Sequence, residues 1–210
     1  MKKFAKKAIS FFLALCFLLS FTVSAYANSI QPRISFAASL QVVSNPTTIS
    51  ISSATGGHAF IVVKNEGNTT ITVGHMSVPA GGSVTLGTYQ NRSAHKGLWC
   101  NIEGHATKTG TSYALTCGLT GSELAKVNEV INANDTWTII KNCAYFAKTV
   151  WNAAYPTGKI SGVNPTTLAA SIKNQDNYIT NPTIPRKNKS EIARHTPTGI
   201  IYDSSGAYRS

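Results

Sequence analysis

Ile139-Ile140-Lys141-Asn142-Cys143-Ala144-Tyr145-Phe146-Ala147 places a cysteine at the opening of a helix. Asn142 is a good N-cap, because its side-chain oxygen can accept from the unpaired N–H groups of a first turn. Helical character continues to about Ala154, where Pro156 and Gly158 stop it. A thiol there feels the free N–H groups and the positive end of the helix dipole, which favour the thiolate and make Cys143 a candidate nucleophile. The same N–H groups, at Asn142 and Cys143, are candidate donors to an oxyanion. The alternative is an inert cysteine in a core position, since Ala147, Val150 and Trp151 form a buried stripe on the same helix.

Upstream, Leu124, Val127 and Ile131 mark an amphipathic helix over Ser122 to Ala133, and Thr136 to Ile140 is extended in character. Further upstream the period changes to that of strands. Thr48 to Ser52 alternates as a short edge strand, while Ala59 to Val63 and Thr69 to Val73 flank the turn residues Asn65-Glu66-Gly67-Asn68 and read as a hairpin. Pro79-Ala80-Gly81-Gly82 turns into a strand at Ser83 to Gly87, and two more strand candidates follow at Gly97 to Ile102 and Thr111 to Thr116. Downstream, Asn164-Pro165 opens a helix over Thr166 to Lys173. The expected class is α+β, with an antiparallel sheet of about five strands packed against the cysteine-bearing helix.

A thiolate nucleophile needs a histidine. A hairpin turn centred between Glu66 and Gly67 sets His58 opposite His75 on one face of the sheet, which makes both candidates for the catalytic group. His58 follows Gly56-Gly57, where the absence of side chains leaves room for a close approach. His95, His105 and His195 lie in turn-like or tail segments and rank lower.

The chain ends bound the organisation. Residues 1–27 read as a cleavable signal peptide: Lys2, Lys3, Lys6 and Lys7 precede an uncharged apolar run from Ala8 to Val23, and Ala25-Tyr26-Ala27 supplies the cleavage site. Residues 28–46 read as a lead-in arm, 47–174 as the domain, and 175–210 as a loosely packed polar tail. Losing the four lysines lowers the formal charge from +11 to +7, an excess suited to an anionic wall or lipid surface. No basic run interleaves with aromatics, so nucleic acid is not an expected partner, and no segment after the signal could span a membrane.

Cys16 leaves with the signal, so three cysteines remain. Cys100 and Cys117, in neighbouring strand-like segments, are a possible disulfide that would leave Cys143 single. A zinc site from His95, Cys100, His105 and Cys117 is the rival use, although the spacing fits no common framework. No cofactor or metal is expected.

The order Gly57-His58-Ala59-Phe60 on an early strand, a helix, then Asn142-Cys143-Ala144-Tyr145-Phe146-Ala147 at a helix start resembles the circularly permuted branch of the NlpC-like papain-fold hydrolases, in particular the group containing lecithin-retinol acyltransferase-like proteins. It spans roughly residues 55–155. The resemblance implies a permuted papain-like domain with Cys143 as nucleophile, His58 as general base and His75 as the polar group that orients the ring. Ala144-Tyr145 stands where an acidic residue and a histidine are familiar, a departure that bears on lipid substrates and leaves the thiol chemistry intact. The expected protein is therefore a secreted bacterial thiol hydrolase or acyltransferase. Its substrate would be a peptide, amide or lipid ester, an amide or peptide of the cell envelope being favoured. The alternative is a non-catalytic secreted binding or toxin-like module on the same fold.

Overall fold

The longest apolar run among the strands, Ala59 to Val63, lies near the middle of the sheet, where both of its faces are covered. The computed structural model describes residues 35–50, 57–90 and 97–204. The expected signal peptide, Cys16, Gly56 and His95 lie outside them. The strands in chain order are β1 (Ala38–Asn45), β2 (Thr48–Ser50), β3 (His58–Asn65), β4 (Ile71–Val73), β5 (Met76–Val78) and β6 (Ser83–Tyr89). They are followed by β7 (Gly97–Cys100), β8 (Thr107–Thr109), β9 (Tyr113–Leu119), β10 (Ile179–Thr180), β11 (Ala193–Thr196) and β12 (Gly199–Tyr202). The helices are α1 (Gly121–Ala133), α2 (Cys143–Ala154) and α3 (Pro165–Lys173).

Eight strands form one antiparallel sheet in the order β10-β9-β1-β3-β6-β7-β11-β12, while β2 pairs with β8 and β4 with β5 outside it. The architecture is α+β, with more strands in its sheet than the expected five. In β3 the pleat sends Ala59, Ile61 and Val63 into the core shared with the helices, and Phe60 and Val62 into a second cluster on the opposite face with Tyr89, Trp99 and Ile102. Burial on both faces is why this strand reads as an unbroken apolar run. The helices bury Leu124, Val127 and Ile131 from α1, Phe146, Ala147, Val150 and Trp151 from α2, and Leu168 and Ile172 from α3. Each starts at a side-chain cap: Thr120 on Glu123 N–H, Asn142 on Tyr145 N–H, Asn164 on Thr167 N–H. Among the described residues no helix is long and apolar enough to cross a membrane.

Four expectations are corrected. The arm expected over residues 28–46 is part of the sheet from Ala38 onward: β1 sits between β3 and β9, with Ala38, Leu40 and Val42 fully buried. The tail is packed as well, since β10 adds to β9, β11 to β7, and Ile192 enters the core of the second face.

The hairpin joining Ala59–Val63 to Thr69–Val73 does not form either. Asn65 closes the loop on itself, its Nδ2 donating to the carbonyls of Thr69 and Val78 and its Oδ1 accepting from Gly67 N–H. Strand β3 then pairs with β6, and β4 and β5 make a separate excursion that turns at Gly74, φ +59, and is tied to Asn128 of α1. His58 consequently faces Asn45 across β1, not His75.

Finally, Cys100 and Cys117 do not bond: all three described cysteines are free. They lie on β7 and β9, separated by β6, β3 and β1. Four inter-strand steps amount to roughly 19 Å, far beyond disulfide reach and beyond sharing one zinc ion.

Candidate active site

The ladder between β3 and β6 runs from Lys64↔Ser83 to Ile61↔Leu86 and stops, after which β6 continues against β7 alone. Beyond that point the two strands part, and the start of α2 meets the edge of β3 that β6 leaves unpaired. The backbone N–H of Ala59 is directed at the Cys143 thiol there, and the N–H of Ala144 reaches the same sulfur from the helix. His58, the first residue of β3, is hydrogen-bonded to Cys143 through its side chain. The structure thus brings Cys143 and His58 together, both nearly buried, at 9 % and 6 % exposure.

The group behind the histidine is Glu103. Its carboxylate, fully buried in the short 3-10 turn Glu103–His105 after β7, lies 3.5 Å from His58 Nε2. Thr85 Oγ1 and Tyr89 Oη donate to Glu103 at 2.5 and 2.7 Å, so an otherwise costly buried charge is held by two hydroxyls and one imidazole. Tyr89 also packs its ring on His58 at 4.5 Å between centroids, and Phe60 stacks from another side at 5.6 Å. Burial, and then the charge of Glu103, push the Tyr89 phenol well above its usual range, so it stays protonated and keeps donating. Gly87 provides the space for this cluster: a Cβ there would overlap Glu103 Oε1 and stand 2.7 Å from His58 Nε2. Gly57 likewise permits close packing before β3, since a Cβ would stand 2.8 Å from the Asn45 carbonyl and 2.9 Å from Pro165 Cβ.

The electrostatics follow from the partners. Burial opposes the imidazolium of His58, but hydrogen bonds to Cys143 and Glu103 and the charges of both outweigh it and raise the pKa to about 9. Burial also opposes the Cys143 thiolate, and again the neighbours win: the His58 hydrogen bond and charge, then the N–H groups of Ala59 and Ala144, bring the thiol below its ordinary value. The other two cysteines go the opposite way, with burial pushing Cys117 up to about 12 and Cys100 higher still.

Asn142 is the helix cap and also a clasp. Its Oδ1 accepts from Tyr145 N–H at 3.1 Å, and its Nδ2 donates to the carbonyls of Ile139 and Val163 at 3.2 and 2.8 Å. That amide is fully occupied, and the backbone N–H groups at the helix start are the candidate oxyanion donors there.

His75 is not part of the site. It lies at the β4–β5 turn and stacks on His195 of β11, with centroids 4.6 Å apart. His105 sits in the Glu103 turn with Nε2 2.9 Å from the Lys187 carbonyl. Glu103 is the candidate site residue that sequence reasoning misses. The one available signal is an acid directly after the apolar run Gly97 to Ile102, next to a glycine that lets the chain at Pro185 close over it. Among the described residues no group of three or more His, Cys, Asp or Glu side chains is arranged to hold a metal ion. No family model, curated protein or solved structure matches this chain.

Proposed function

We propose that this chain is an exported cysteine hydrolase or acyltransferase, with Cys143 as nucleophile, His58 as proton carrier and Glu103 as the carboxylate that orients and charges the imidazole, in a permuted papain-like arrangement. The observation that carries the reading is the alignment Cys143–His58–Glu103 across the split between β3 and β6. In the reaction, the Cys143 thiolate adds to an amide or ester carbonyl, and the resulting oxyanion is met by the N–H groups at the start of α2. The tetrahedral adduct collapses with cleavage of the C–N or C–O bond as His58 protonates the leaving group. Water or another acceptor, giving its proton to His58, then attacks the thioester and restores the thiolate. A peptide or amide of an anionic envelope is the favoured substrate, because the chain keeps a formal charge of +7 after loss of the four lysines of the expected signal peptide, from +11 in full.

Iodoacetamide labelling of the folded protein between pH 5 and 9, with each modified cysteine located by mass spectrometry, tests the pair. Cys143 is expected to label at pH 6 while Cys100 and Cys117 stay silent as internal controls, and His58→Ala is expected to slow Cys143 by about 100-fold. A Cys143 no faster than Cys117, or one indifferent to His58, removes the catalytic reading and leaves a binding module on this fold.

A further inference from the structure

The residues leading into the nucleophile form a surface that folding does not explain. Thr138 and Lys141 close a tight loop, with Thr138 N–H donating to the Lys141 carbonyl at 3.1 Å and Lys141 N–H donating to the Thr138 hydroxyl at 2.8 Å. The two residues at its tip are Ile139 and Ile140, 82 % and 83 % exposed. Loop tips favour Gly, Asn, Asp and Pro, whereas β-branched apolar residues are poor there both sterically and in water. Through the Asn142 amide, the same loop is clasped to the carbonyl of Val163, a side chain 72 % exposed. Three apolar side chains are thus held in fixed backbone positions beside the start of α2.

Two further features identify the occupant. Trp137, half-buried, precedes the tip and Lys141, exposed, follows it, so the loop reads aromatic, polar, apolar, apolar, basic. Tryptophan beside aliphatic side chains and lysine is the composition that settles where hydrocarbon meets lipid head groups. Between Asp135 and Asp176 the chain carries four lysines and no acid; Lys141 and Lys159 are exposed, while Lys148 donates to the Gly162 carbonyl and Lys173 lies over the Tyr113 ring. A wall polymer would leave the isoleucines unexplained, since a polyanion offers them no apolar phase, whereas a bilayer boundary takes tryptophan, aliphatic side chains and lysine together.

We infer that the Trp137–Lys141 loop, with Val163, is a docking surface for a bilayer containing anionic lipid, seating the mouth of the Cys143 site at the membrane interface. The isoleucines and Val163 enter the head-group and acyl boundary, and Lys141 meets lipid phosphates. The surface does not depend on catalysis. That it presents interfacial substrates to Cys143 rests on the thiol chemistry proposed above.

The protein carries its own reporter. Of its three tryptophans, Trp99 and Trp151 are buried and Trp137 stands at the loop, whereas the apolar N-terminal run contains none. The full chain is mixed with phosphatidylcholine vesicles, with or without phosphatidylglycerol, whose acyl chains are brominated, and tryptophan quenching is read. Quenching that needs phosphatidylglycerol, disappears in Trp137→Phe and requires roughly tenfold more lipid in the Ile139→Ser/Ile140→Ser double variant supports the proposal. Circular dichroism and Cys143 labelling of that variant, both expected to match the parent, establish that it is folded. Cys143→Ala is expected to dock like the parent, so loss of catalysis and loss of docking are read separately. No quenching of Trp137, or quenching unaltered by the double variant, overturns the inference, as does retention on a soluble anionic wall polymer without vesicle binding.

Discussion

Two buried histidines, His58 and His195, share the same degree of burial, at 6 % and 3 % exposure, and end on opposite sides of neutrality. His58, between Cys143 and Glu103, is raised to about 9. His195 is lowered to about 4 by burial and then by the neighbouring His75, against the pull of Asp135. Its Nε2 faces only the neutral amide oxygen of Asn132 at 3.0 Å. Removal from water penalises both imidazolium ions; what separates the two is the charge of the group each ring meets. One histidine is built to hold a proton beside a thiolate, the other to refuse one. Burial alone therefore does not set the protonation of a histidine, and its partners do.

The contrast breaks most severely at Gly87. A methyl group in Gly87→Ala must displace either the Glu103 carboxylate, which is held by Thr85 and Tyr89, or the His58 ring, which is packed on Tyr89. Overpacking of this kind costs about 1–3 kcal/mol of stability. With His58 misplaced, Cys143 labelling at pH 6 should fall on the order of 100-fold. Denaturant titration and labelling measure the two effects, and an unchanged labelling rate would sink the assigned geometry.

The pH dependence of stability is the next largest effect and has opposite sign at the two histidines. A pKa raised in the fold, as at His58, stabilises fully below about 6.5 and is lost as pH rises through about 9. A histidine with a lowered pKa stabilises above about 6.5, and that contribution is lost as pH falls toward about 4, because the unfolded chain takes the proton first. The acid limb at His195 amounts to about 2–3 kcal/mol. His195→Gln, which keeps a donor for Asn132, should flatten the denaturation midpoint between pH 6.5 and 4 while leaving the alkaline limb in place. An acid limb that survives the substitution would mean that other groups carry it.

The sequence disclosed local features well and pairings poorly. Asn142 and Pro156 bracket α2, the period of Leu124, Val127 and Ile131 marks α1, and Asn164-Pro165 opens α3, all through patterns within a few residues. Strand β1 was legible in the alternation of Ala38, Leu40 and Val42, but Pro32 and Pro46 on either side made it resemble a linker. The turn signature Asn65 to Asn68 is real turn chemistry, yet it does not state which strand comes next to β3. That is settled by the excursion of β4 and β5 onto α1, a contact about fifty residues away in sequence. Glu103 was hidden for the same reason. Its role exists only because β6 and the turn after β7 bring Thr85, Tyr89 and Glu103 onto the face of β3 that carries His58.

The smallest effect is also the one that decides between the two pairings of the hairpin. If His58 faced His75, replacing His75 would remove the group that orients the catalytic ring, and Cys143 would slow as it does in His58→Ala. The register gives His58 to Asn45, and gives His75 a stacking partner in His195 on β11. His75→Phe preserves an aromatic ring at that stack, so the β4–β5 excursion and β11 remain packed. Cys143 labelling should then stay within about twofold of the parent, as expected for sites that share no partners. The change belongs at the other cluster: without the charge of His75, His195 rises from about 4 toward its ordinary value, and the acid-side loss of stability becomes shallower. A slowed thiol with an unaltered acid limb would reverse both assignments at once and return the third catalytic position from Glu103 to His75.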